Sequence, residues 1–99
     1  MDFEVLIAAS ALKDLKEIVE FVAQDDAVAA ERLGHKLLTH ALSLSAMPER
    51  FAFHDRRRGI RKMPAPPFLI YYTSDEPRRA VNILHFWHGA RRLPSFRPE

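Results

Sequence analysis

The chain has 99 residues, of which 47% are hydrophobic and 28% charged, so it predicts one globular domain with a modest core rather than a disordered chain. It contains no cysteine, which excludes disulfide bonds and thiolate catalysis. The first ten residues combine Asp2 and Glu4 with a short apolar stretch, which fits neither a secretory signal nor a membrane span. We therefore expect a cytoplasmic protein.

A net charge of +2 conceals an asymmetry between the two halves of the chain. Residues 1–46 carry four basic and eight acidic side chains, whereas residues 47–99 carry eleven basic and five acidic ones. If both halves share one fold, the surface should have an acidic face and a basic face. Basic faces attract nucleic acid or acidic proteins, but they also occur on proteins that bind neither.

The N-terminal segment predicts a strand followed by a helix. Phe3, Val5 and Ile7 alternate with Asp2, Glu4 and Leu6 in residues 2–8, which is typical of a strand with one buried face. Ser10 follows, and its hydroxyl is expected to cap a first helix. The apolar residues from 12 to 22 recur at spacings of three and four, which predicts an amphipathic helix.

A second helix is predicted after the polar segment QDDA at residues 24–27. Asp25 or Asp26 can cap this helix, which we expect to extend from about Ala27 to Ala46. Gly34 in its interior either weakens the helix by roughly 1 kcal/mol relative to alanine or permits close approach to the first helix. Two antiparallel helices joined by a short turn predict a helical hairpin.

The C-terminal half predicts three strands and their connections. We expect strands at residues 60–63, 68–73 and 80–88, a loop at 49–59, a proline-rich connection at 64–67, a polar turn at 74–79 and an irregular basic tail at 89–99. The middle strand is apolar on both faces, as a central strand should be. The element order is therefore β-α-α-β-β-β in a single α+β domain over residues 1–99, with a helical hairpin on a mainly antiparallel sheet.

Four segments together carry a family pattern. They are ASALKDLKEIVEFVAQDDAVAAERL at residues 9–33, LSAMPER at 44–50, GIRKM with IYY in residues 59–72, and VNILHFWHGAR at 81–91. In this order, and over nearly the whole chain, they resemble the RelE/ParE superfamily of toxins from bacterial type II toxin–antitoxin systems. The long helical hairpin and the HGAR strand end are more similar to the ParE branch.

This resemblance implies a toxin that is neutralised by a cognate antitoxin in a hetero-oligomer, with no cofactor and no membrane. ParE-like members inhibit DNA gyrase, and we expect this activity. RelE-like members are instead ribosome-dependent endoribonucleases that cut messenger RNA, which is the first alternative. The second alternative is a non-toxic member that acts only as an antitoxin-binding module or co-repressor.

The ribonuclease alternative can be tested against the chemistry that it requires. Metal-independent cleavage through the 2′-hydroxyl needs a base, an acid and a cation at the phosphate. Arg61 and Arg91 could hold the phosphate, and His88 could transfer the proton. However, the C-terminal segment lacks the tyrosine of ribonuclease members, and Lys62 is the only lysine between the second helix and the middle strand. The catalytic set therefore looks incomplete, which favours the non-enzymatic function.

The basic residues of the second half also predict a binding surface. The acidic toxin-binding segment of an antitoxin, or the cellular target, should be attracted to Arg56, Arg57, Arg58, Arg61, Lys62, Arg91 and Arg92. We expect these side chains to form one electropositive recess over the sheet. No metal site is expected, because His35 and His40 are five residues apart and do not share a helical face as a zinc pair would.

Overall fold

The computed structural model describes residues 2–90. These residues form five strands and two α-helices, namely β1 Glu4–Ile7, α1 Ala9–Ala23, α2 Ala27–Leu42, β2 Phe53–Asp55, β3 Ile60–Ala65, β4 Phe68–Asp75 and β5 Ala80–His88. Two short 3-10 turns, Ser43–Ser45 and Pro48–Arg50, connect α2 to β2. The predicted basic tail lies outside the described residues from position 91 onward.

The strands form one sheet in the order β1-β5-β4-β3-β2. β1 is parallel to β5, and the other neighbouring pairs are antiparallel. One face of the sheet packs on the helical hairpin, where Leu15, Leu37 and Ile70 belong to a single buried core. The predicted α+β fold is confirmed, with β4 as the central strand.

The segment predicted as a loop contains a strand, so four strands rather than three follow the helices. β2 pairs with β3 through Phe53 opposite Arg61 and Asp55 opposite Ile60, with an irregularity between the two pairs. A strand of three residues is too short to show a period of two in the sequence. Its position is set by contacts to β3, which local sequence does not reveal.

β3 extends two residues further than predicted and includes a proline. Pro64 lies opposite Leu69, and the strand ends at Ala65. The Lys62 N–H donates to the carbonyl of Ala52, so the backbone nitrogens of even-numbered residues in β3 point toward β2. β2 ends before it reaches Pro64, and the missing N–H therefore leaves no ladder partner unsatisfied.

α2 is capped as predicted but ends earlier than predicted. Asp26 accepts a hydrogen bond from the Ala29 N–H at 3.0 Å, and the regular helix ends at Leu42 before tightening into a 3-10 turn. Gly34 allows close approach, because a Cβ there would lie 3.0 Å from Cγ2 of Val19 on α1. Within residues 2–90, neither helix has the length and apolar character that crossing a membrane requires.

Helix α1 covers the part of β5 that β1 does not reach. β1 pairs with β5 only as far as Ile7 opposite Ile83. Beyond that point the Ser10 hydroxyl donates to the Leu84 carbonyl at 2.7 Å, and Asp14 accepts from the Phe86 N–H at 3.2 Å. The expected cap role of Ser10 is therefore wrong, since Ala8 is the N-cap residue and Ser10 satisfies a strand edge instead.

Candidate functional site

The turn between β2 and β3 presents three consecutive arginines. Arg56, Arg57 and Arg58 are exposed in this turn. The Phe53 ring organises the neighbouring cations, with the guanidinium carbon of Arg56 at 4.7 Å from its centroid and that of Arg61 at 3.8 Å. We refer to Arg50, Arg56, Arg57, Arg58 and Arg61 as the arginine cluster.

Within the arginine cluster, Arg61 is held by the segment that precedes β2. Its Nη1 donates to the carbonyls of Glu49 at 3.1 Å and Phe51 at 2.6 Å. Its guanidinium also stacks on Phe53. A side chain with these contacts fixes the 49–53 segment against β3. If Arg61 bound a phosphate, as the sequence indicated, the phosphate would have to compete with these contacts for the guanidinium.

The other arginines of the cluster differ in how freely they can meet a partner. Arg50 donates to the carbonyl of Ala46, and its guanidinium lies 4.9 Å from the Phe51 centroid. Arg58 forms an exposed ion pair with Asp55 at 3.9 Å, a kind of contact that contributes little to stability. The exposed Arg57, at the apex of the turn, is well placed to meet an acidic partner.

Lys62 lies on the opposite face of the sheet from Arg61, because successive residues of a strand alternate. There it pairs across the strands with Tyr71, whose ring centroid is 5.0 Å from that of His54. Burial raises the pKa of Tyr71, so its hydroxyl stays protonated at neutral pH. Lys62 therefore does not share a surface with the Arg61 guanidinium.

A carboxylate–imidazole pair joins α1 to β5, and the sequence did not predict it. Asp14 Oδ2 lies 2.6 Å from His85 Nδ1, and both side chains are largely buried. Burial raises the pKa of Asp14, an effect that the hydrogen bonds from His85 and from the Phe86 N–H partly oppose. The two residues are 71 positions apart in the chain, so no local pattern could have indicated this pair.

Arg61 and His88, two of the residues proposed for a ribonuclease site, lie at different levels of the sheet. Arg61 of β3 lies opposite Tyr72 of β4, which in turn lies opposite Ile83 of β5. His88 is five residues further along β5 than Ile83. At about 3.3 Å per residue, this separation is roughly 16 Å along the strand. His88 instead makes an edge contact with the Phe68 ring at 5.3 Å between centroids. The third residue, Arg91, lies outside the described residues.

The predicted single recess is not formed by the described part of the chain. β3 begins beside the arginine turn and ends near Pro67. The Gly89 N–H donates to the Pro67 carbonyl at 2.9 Å, so the chain leaves β5 at the end of the sheet opposite the arginine turn. Arg91 and Arg92 lie outside the described residues.

A second surface feature is an apolar groove of about 880 Å³ between the helical hairpin and the C-terminal half of β5. Its walls are formed by Asp14, Glu17, Ile18, Phe21, Val22, Leu33, Pro67, Phe68, Phe86, Trp87, His88 and Ala90. Phe21 is 72% exposed despite its size, so the groove is open to solvent on the side of α1. The sequence indicated the helical stripes but not this groove.

The fold has counterparts among solved structures of toxin–antitoxin proteins. A chain of the RelBE2 toxin–antitoxin complex from Mycobacterium tuberculosis superposes with a TM-score of 0.70 at 21% identity, covering 89% of this chain and 92% of that one. A chain of the chromosomal ParDE system from P. aeruginosa gives a TM-score of 0.71 at 16% identity, covering 87% and 95%. At these identities the likeness concerns the fold.

Sequence comparison assigns the family. No curated protein matches the chain significantly. The family described as "ParE toxin of type II toxin-antitoxin system, parDE" matches residues 5–93, which include both helices, strands β2 to β5 and all of β1 except its first residue. The chain thus belongs to the ParE toxin family of type II toxin–antitoxin systems.

Proposed function

We propose that this toxin acts by inhibiting DNA gyrase in the cytoplasm, without catalysis of its own. The family match over residues 5–93 carries the proposal, since it concerns the ParE branch rather than the ribonuclease branch. The geometry supports it in one respect: Arg61 is engaged with backbone carbonyls, and His88 lies at a different level of the sheet. This separation argues against joint action of the two groups on one phosphate.

A cognate antitoxin is the second element of the proposal. An acidic antitoxin segment would dock on the arginine cluster, where Arg57 projects from the turn and Arg56 is oriented by the Phe53 ring. Charges in such exposed positions speed association more than they add affinity, because solvent and salt screen them. Apolar contacts elsewhere would provide most of the binding free energy.

The proposed target can be tested with purified components. Gyrase supercoiling of relaxed plasmid should be lost when the toxin is added and restored by the antitoxin. The same toxin preparation should leave messenger RNA intact on translating ribosomes. Cleaved messages with unimpaired supercoiling would replace gyrase inhibition by ribonuclease activity. If neither process is affected, the chain functions as an antitoxin-binding module only.

The docking of the antitoxin on the arginine cluster has its own test. Arg57→Glu should slow association with the antitoxin, and the difference from the unmodified toxin should shrink as salt rises. Arg32→Glu on α2 is the matched control, since it makes the same charge change on an exposed side chain remote from the β2–β3 turn. Equal association rates for both variants would contradict docking at the cluster.

A further inference from the structure

One residue between α2 and β2 has a backbone conformation that its side chain does not favour. Met47 has φ 47° and ψ 59°, in the left-handed region that glycine, asparagine and aspartate adopt most readily. The next residue is Pro48, and a residue before proline is normally extended. This conformation costs free energy, so contacts from the surrounding structure have to maintain it.

Hydrogen bonds hold the chain on both sides of Met47. Before it, the Arg50 guanidinium donates to the carbonyl of Ala46. After it, the Tyr72 hydroxyl donates to the Pro48 carbonyl at 2.5 Å, and the Pro48 side chain is fully buried. The backbone of Met47 is therefore fixed by contacts that its own side chain does not make.

Burial of the methionine side chain does not compensate for this conformation, because Met47 is 70% exposed. A single exposed apolar side chain is ordinary on a soluble protein, so its exposure alone indicates nothing. Here, however, the exposure coincides with an enforced and unfavourable backbone. Glycine or asparagine would fit this position with less strain and would lose no buried contact. Strain of this kind is concentrated at functional sites, where it holds a side chain in a fixed direction.

Met47 lies beside the arginine cluster, and two members of the cluster bind the chain around it. Arg50 binds the residue before Met47, and Arg61 donates to the carbonyl of Glu49 at 3.1 Å. Five arginines against Glu49 and Asp55 leave this surface positively charged. A partner therefore meets one adaptable apolar side chain next to several guanidinium groups. That combination is complementary to a segment that carries an apolar side chain among acidic ones.

We propose that Met47 is the apolar anchor of the antitoxin interface, buried by an acidic antitoxin segment whose carboxylates meet the arginine cluster. This inference rests on the proposed docking of the antitoxin at that cluster. It adds a contact that contributes affinity, whereas the exposed arginines mainly speed association. The fixed turn holds the methionine in position before binding, so less conformational freedom is lost when the partner arrives.

Substitutions of Met47 should separate the stability of the toxin from its binding. Met47→Asn suits the left-handed conformation but removes the apolar side chain, so the melting temperature should stay equal or rise. The affinity for the purified cognate antitoxin should instead fall about tenfold, as expected for a central interface residue. Met47→Leu keeps an apolar side chain and should keep most of the affinity. Phe21→Ser is the matched control, because it removes an exposed apolar side chain at the opposite end of the helical hairpin.

Binding kinetics distinguish a failure of this inference from a failure of docking at the cluster. Met47→Asn should accelerate dissociation, and the effect should persist at high salt, whereas Arg57→Glu should slow association. Faster dissociation of Met47→Asn without any effect of Arg57→Glu would support the anchor and remove docking at the arginine cluster. Neither measurement involves gyrase, so the result does not depend on the target.

Three results would overturn the proposal. The first is unchanged affinity of Met47→Asn for the antitoxin, and the second is an equal loss of affinity in Phe21→Ser. The third is a clear drop in the melting temperature of Met47→Asn, since the methionine would then serve the fold rather than an interface.

Discussion

Removal of the Arg61 side chain tests whether this guanidinium holds the β2 region in place. Arg61→Ala would delete the hydrogen bonds to the carbonyls of Glu49 and Phe51 and the stacking contact with Phe53. Hydrogen bonds from charged donors contribute about 1.5–3 kcal/mol each when buried, and a partly exposed cation–π contact about 0.5–1 kcal/mol. Because the Glu49 contact is exposed, we expect a total loss of about 2–3 kcal/mol.

The measurement is urea denaturation followed by far-ultraviolet circular dichroism, together with the melting temperature. A loss of this size should lower the melting temperature by roughly 10–20 °C in a domain of about 100 residues. Arg61→Lys should fall between the alanine variant and the unmodified protein, since an ammonium keeps the charge but not the planar stacking. Arg57→Ala is the matched control and should change stability by less than about 0.5 kcal/mol.

Two outcomes would refute this reasoning. If Arg61→Ala is as stable as Arg57→Ala, the guanidinium does not fix the 49–53 segment and remains available for a phosphate. If Phe53→Leu and Arg61→Ala are strictly additive in the double variant, the stacking contact at 3.8 Å contributes nothing. In the first case, the ribonuclease alternative would gain support.

Three further changes probe the core and the contact between α1 and β5. Burial raises the pKa of Tyr72 from 10.0 to about 12, so the free energy of unfolding should fall as pH rises between these values. Tyr72→Phe should make this fall smaller, as measured by denaturation curves at about pH 8 and about pH 11. Because the pKa of Asp14 is raised in the folded state, the free energy of unfolding should also fall as pH rises from 3.8 through the pKa that Asp14 has in the folded protein. Asp14→Asn should remove this step when the melting temperature is followed over acidic pH. Gly34→Ala should leave the free energy of unfolding in urea nearly unchanged, because a gain of about 1 kcal/mol in helix propensity offsets the tight contact with Val19. Gly34→Leu should instead lower it by about 1–3 kcal/mol, because the larger side chain forces the helices apart.

Features that depend on neighbouring residues in the chain were predictable. The Asp26 cap, the paired helices and the central strand around Ile70 and Tyr71 each have a local signal in composition or spacing. The same local reasoning misassigned Ser10, which has a cap residue's chemistry but bonds to Leu84 across the fold. A hydroxyl next to a helix start satisfies whichever backbone group lies closest in space, and sequence does not identify that group.

The candidate site was less predictable because its geometry depends on pairing between strands. The sequence grouped seven basic residues into one surface, yet Lys62 and Arg61 lie on opposite faces of β3. The Phe53 ring that organises Arg56 and Arg61 belongs to a strand with no periodic signal. Likewise, Asp14 meets His85 only after the sheet and the hairpin have formed.

The short length of β1 has a consequence for what can associate with this molecule. An uncovered stretch of β5 would be a template for other chains, and it would favour fibrillar growth as much as legitimate recognition. Here the Asp14 carboxylate already accepts a hydrogen bond from the Phe86 N–H. An incoming strand must therefore displace this largely buried carboxylate before it can pair with that edge of β5. Only a strand that supplies this carboxylate with another hydrogen-bond donor can therefore pair with this edge of β5, which disfavours non-specific self-association.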